Sequence, residues 1–78
     1  MTTSEKYLEL VSEEHSRCLT KYPRPFANEM EALSVILKQF QDAQNKAYAG
    51  MPKADILREV VQMGSMCQRM VEDCSLIQ

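Results

Sequence analysis

Residues 56–77, ILREVVQMGSMCQRMVEDCSLI, decide how this chain folds. Their apolar side chains fall at Ile56, Val60, Met63, Cys67, Met70, Cys74 and Ile77, alternating steps of four and three, and on a helix that spacing draws one continuous seam. A second line, Leu57, Val61, Gly64 and Val71, runs beside the seam and widens the face beyond that of a two-stranded coiled coil. On the other flank lie Glu59, Gln62, Arg69 and Asp73, with Met66 in their middle. Polar groups that border a buried seam either pair with a neighbouring helix or line a site, and the spacing alone leaves both open.

Upstream, the chain divides into two further helices. Thr2 and Glu5 have capping-box spacing, so a first helix is expected over about residues 4–20, with Leu8, Val11, His15 and Cys18 as its inner line. Pro23 and Pro25 interrupt it, because each disfavours helical geometry at the residue before it and lacks an N–H donor; Phe26 is expected to pin the connector. Asn28 caps a second helix over about 28–49, with Leu33, Ile36, Phe40, Ala43 and Ala47 on the same four-three spacing. Gly50 and Pro52 end that helix and start the third, over about 53–76, and so short a link makes the pair an antiparallel hairpin.

Composition narrows the function classes. Seventy-eight residues make one small all-α domain near the lower limit for a self-sufficient core, so self-association is expected. A net charge of -2, with no clustered basic run, argues against direct nucleic-acid binding. No apolar stretch approaches membrane-spanning length, and no leader pattern precedes the first helix, so a cytoplasmic location is expected. Three cysteines without a C-x-x-C pair do not make a disulfide framework. Cys67 and Cys74, roughly 10 Å apart by helix rise, read with Cys18 as reduced core thiols. His15 and Cys18 share a helix face, but two ligands do not make a zinc site, and His15 reads as a core residue.

Pro25-Phe26, Glu31, Val35-Ile36-Leu37, the run from Glu59 to Arg69, and Asp73 together resemble small MazG-like proteins of the all-α NTP pyrophosphatase fold, common in phage genomes. The likeness spans Tyr22 to Cys74, about two thirds of the chain, and the third helix carries most of it. It implies a hairpin that dimerises into a four-helix core, and a Mg²⁺-dependent hydrolysis of nucleoside triphosphates to monophosphate and pyrophosphate. The family holds its metal with a Glu-Glu-x-x-Glu cluster on the second helix and acidic positions on the third.

The chain departs from that pattern where the chemistry sits: Lys38, Gln39 and Asp42 occupy the matching positions, Lys46 follows one turn on, and Gln62 stands in place of an aspartate. Magnesium needs several oxygen ligands, and ammonium groups beside the remaining carboxylate oppose it. The expectation is therefore no metal, no catalytic residue and no cofactor. What remains is a non-catalytic binding protein, phage-encoded, that forms a homodimer and inhibits a host protein assembly. Glu31, Lys38, Asp42, Lys46, Gln62, Met66 and Arg69 are its expected binding surface, although Met63 and Met70 read as core. Two alternatives stand beside this. An NTP pyrophosphohydrolase with a reduced Mg²⁺ set would use Glu31, Asp42, Glu59 and Asp73, and a nucleotide sponge would meet phosphate with Lys38, Lys46 and Arg69.

Overall fold

A computed structural model describes residues 1–77 and contains three helices: α1 (Thr3–Lys21), α2 (Glu29–Tyr48) and α3 (Lys53–Asp73). No strand is present among the described residues, so the all-α expectation holds. None of the helices is long and apolar enough to cross a membrane.

The helix ends follow from local chemistry. At α1 the Thr2 hydroxyl accepts from the Glu5 amide at 3.1 Å while the Glu5 carboxylate accepts from the Thr2 amide at 3.0 Å, which closes the capping box. Asn28 caps α2 by accepting from the Glu31 amide at 3.0 Å. The α2 terminus is a Schellman turn: Met51 N–H reaches Lys46 O, Gly50 N–H reaches Ala47 O, and Gly50 adopts the left-handed φ of 71° that this turn requires. Pro52 then opens α3.

At its other end α3 stops at Asp73, short of the expected residue 76. Leu76 N–H folds back to Val71 O around Ser75, whose φ is 54°. This is a second Schellman turn, with a serine where glycine is usual, and nothing in the periodicity of 56–77 announces it. Ile77, the final position of the expected seam, therefore lies beyond the helix and is 78% exposed.

The three helices form an open layer. α3 packs against both α1 and α2, which do not pack on each other. The first helix thus lies along α3 alone and does not cross the α2–α3 hairpin. Gly64 permits the α1 approach. A Cβ there would stand 2.5 Å from the Tyr7 hydroxyl and 3.1 Å from a Val11 methyl, and that hydroxyl donates to Val60 O at 3.4 Å. Tyr7 therefore takes the inward place expected of Leu8, which is 63% exposed, while Val11, His15 and Cys18 are buried as expected.

The layer also reverses which side of α3 is inside. Glu59, Ser65, Met66 and Arg69 are buried, whereas Ile56, Val60, Met63, Met70 and Cys74 of the apolar seam are only half-buried, and Cys67 is exposed. The expectation that the seam is the covered face, with all three thiols in the core, does not hold for this chain by itself. With α1 and α2 on opposite flanks of α3, the inward arc falls between them, and partners on α2 and on the proline connector receive the polar groups there.

Candidate functional site

The candidate site is the polar arc of α3 together with what meets it from α2 and the connector. At the connector end, Arg69 is 3% exposed. Its Nη2 donates to Arg24 O at 2.8 Å, its guanidinium centre lies 5.4 Å from the Phe26 ring centre, and its Nε stands 3.7 Å from Asp73 Oδ2. Asp73 in turn accepts from the Phe26 amide at 2.9 Å. Cation–π contact and paired charge together hold the connector onto α3. Phe26 does pin the connector as expected, but through an arginine that periodicity assigns to an outer flank.

Glu31 completes this end. Its carboxylate accepts from the Ala27 amide at 3.1 Å and from Arg24 Nη2 at 3.2 Å. The Ala27 hydrogen bond first, and then the Arg24 guanidinium, hold the Glu31 pKa below the ordinary glutamate range. A carboxyl whose folded pKa is depressed contributes above its unfolded value and loses that contribution as pH falls through the folded one. The Ala27 amide resonance is accordingly expected to titrate with Glu31 below about pH 4.3 in a heteronuclear NMR series. An Ala27 amide shift that stays flat into acid would contradict the contact.

At the hairpin end, Lys38 pairs with Asp42 at 3.6 Å, as its i, i+4 spacing predicts. Lys46 does not take the other side of Asp42. It crosses the hairpin to Glu59 at 2.7 Å, because Glu59 is buried and a buried carboxylate without a countercharge is strongly disfavoured, whereas Asp42 is half-exposed and solvated. Asp42, Glu59, Lys38 and Gln62 line one groove of about 440 Å³.

The four carboxylates that a reduced metal site would use are thus split into two pairs, each already engaged. Glu31 and Asp73 sit on the connector amides and Asp42 and Glu59 flank the hairpin groove, with Glu31 and Asp42 roughly 16 Å apart along α2 by helix rise. Among the described residues no group of three or more His, Cys, Asp or Glu side chains is close enough to share a metal ion. Octahedral Mg²⁺ needs its oxygen ligands to converge, and these residues do not fit it.

Of the expected binding surface, Glu31, Lys38, Asp42, Lys46 and Gln62 keep at least partial exposure. Met66 and Arg69 do not: Met66 is 8% exposed, so both belong to the interior between the helices. Sequence reasoning missed contacts that cross between elements, among them Lys46 to Glu59, Phe26 to Asp73, and His15 Nε2 to Glu72 Oε1 at 2.6 Å. The last ties α1 to α3 through the histidine's Nε2. Cys18 donates its thiol to Glu14 at 3.2 Å, and burial first, then Glu14, raises its pKa. That leaves it protonated and a poor nucleophile.

Compared with protein-family models, with curated proteins and with solved structures, the chain matches none of them.

Proposed function

We propose that this chain is a non-catalytic helical binding protein on a MazG-like scaffold, phage-encoded, that works as a homodimer and obstructs a protein assembly of the host cell. The observation that carries the reading is the engagement of the acidic residues. Each carboxylate that the resemblance would hand to a metal is held by a cation or a backbone amide of the fold itself, and Lys38 and Gln39 stand where the family keeps anions. A hydrolase needs those groups free and convergent.

Dimerisation is supported by what the single chain leaves uncovered. The apolar side chains it buries are Val11, Cys18, Ala32, Ala43 and Met66, mostly small, while Leu33, Leu37 and Phe40 are 47%, 55% and 49% exposed. Their spacing puts these three on the flank of α2 opposite Lys38 and Asp42, beside the α3 seam with its half-buried Val60 and Met63 and exposed Cys67. A second copy laid across that uncharged face would supply the core that one chain lacks. Gly64, on the second line of α3, is not available for this, since α1 already covers it.

Two measurements test the proposal. Sedimentation equilibrium at micromolar concentration is expected to give a dimer, and Leu37→Glu with Phe40→Glu to weaken association by a hundredfold or more, about 2.8 kcal/mol or above. A wild-type monomer would remove the dimer from the reading. Pyrophosphate release from the common NTPs and dNTPs, with Mg²⁺ or Mn²⁺, is expected to stay at background. Release that Asp42→Asn abolishes would overturn the non-catalytic reading outright.

A further inference from the structure

On the face of the layer opposite the exposed apolar stripe, α1 and α2 diverge over α3 and leave a cleft of about 770 Å³. That size falls within the range of sites that enclose a whole small ligand or a short stretch of chain. Its walls are of two kinds. Phe26, Val35, Met66 and the Tyr22 ring supply apolar surface, while Arg17, Lys21, Arg24 and Arg69 oppose one acidic residue, Glu14.

The cations are not equally committed. Arg17 is tied to Glu14, and Arg69 is consumed by the connector. At the mouth, the Lys21 ammonium lies 5.4 Å from the Tyr22 ring centre, and Arg24 meets Glu31 through an exposed side chain that can accept a second acid. Four of the chain's nine basic residues thus gather at one cleft of a molecule that is acidic overall.

A second, independent feature concerns hydrogen bonds. Two buried side-chain atoms have no hydrogen-bond partner in the fold, Gln39 Oε1 and Arg69 Nε, of which the second keeps the Asp73 carboxylate at 3.7 Å, and both residues line this cleft. One is an acceptor and the other a donor. A buried polar atom without a partner is uncommon and disfavoured, so its retention calls for an occupant that satisfies it. A phosphate or carboxylate offers acceptors only; a peptide group offers an N–H and a C=O side by side. A small rotation of the Gln39 amide would present its oxygen to such an N–H.

We infer that the cleft between α1 and α2 binds a short extended segment of a partner protein, acidic and apolar in composition. A main-chain N–H of the segment meets Gln39, its apolar side chains lie on Phe26 and Val35, and its acids meet Lys21 and Arg24. The inference rests on the binding reading above and names the chemistry that the partner must show.

The test uses the full chain as the target of a displayed library of random twelve-residue peptides, counter-selected against the Lys21→Glu, Arg24→Glu double variant, with the enriched peptides then synthesised and titrated by fluorescence anisotropy. Enriched peptides are expected to combine Asp or Glu with apolar residues, to bind at least tenfold more weakly to the double variant, and to weaken as salt is raised. Gln39→Leu separates a binding role from a structural one: it is expected to leave the thermal midpoint unchanged or raised while reducing peptide affinity at least tenfold. Failure to enrich any cleft-dependent peptide, a consensus without acids, or a lowered midpoint for Gln39→Leu would each overturn the inference. So would a thermal shift with ATP or dATP that the double variant abolishes, since the cleft would then be a nucleotide site. Pyrophosphate release and the sedimentation result are untouched by these outcomes, so the loss of this site and the loss of the binding reading are separately visible.

Discussion

Replacing Arg69 with alanine is expected to destabilise the folded chain by about 3–5 kcal/mol, the usual consequence of removing one member of a buried ion pair. The residue is nearly fully enclosed, and three dependencies end on it: the Arg24 carbonyl that it satisfies, the Phe26 ring that it covers, and the Asp73 carboxylate beside its Nε. Domains of this length have a total stability of only about 4–12 kcal/mol, so the variant should sit close to unfolding at 25 °C. Urea unfolding followed by circular dichroism at fixed protein concentration measures it. Pairing Arg69→Met with Asp73→Asn should recover a substantial part of the loss. The second change removes the stranded charge and keeps an oxygen for the Phe26 amide. An Arg69→Ala loss below about 1 kcal/mol, the range of exposed ion pairs, would mean that Arg69 does not anchor the connector.

Gly64→Ala is the second large effect, and its sign is the informative part. In an exposed helix interior this change stabilises by about 1 kcal/mol. Here the new methyl would meet the Tyr7 hydroxyl at 2.5 Å and Val11 at 3.1 Å, and overpacking of that kind costs about 1–3 kcal/mol, so a net destabilisation is expected. Tyr7 cannot simply swing away, because its hydroxyl donates to the Val60 carbonyl. In a Tyr7→Phe background the nearest obstacle is removed, and the alanine should become neutral or stabilising. The two substitutions should therefore couple by about 1–2 kcal/mol in a double-mutant cycle. Strict additivity would show that α1 does not rest on Gly64, and that the glycine has some other reason to be there.

These two residues also show how differently parts of the chain could be read in advance. Thr2 with Glu5, Asn28 with the Glu31 amide, and Gly50 before Pro52 act through neighbours within a few residues, and their helix ends lie within a residue or two of where the local pattern puts them. Glycine inside a helix is disfavoured unless something uses the space, so Gly64 marks a place where another helix can come close. Which helix came near was not legible. The end of α3 was illegible because a serine in left-handed geometry carries no compositional mark.

Local and periodic information in these residues determined that there would be three helices and a tight hairpin between the second and third. Tertiary structure alone decided which arc of α3 would face inward. Periodicity ranks the faces of a helix by polarity, but burial is set by where the neighbours stand and whether they bring partners: Lys46 reaches Glu59, and the Phe26 connector reaches Arg69 and Asp73, so the polar arc closes inside while the apolar seam is left half-open. Those contacts join residues 13 to 47 positions apart. Separations of that length belong to the assembled fold, and no pattern within one helix encodes them.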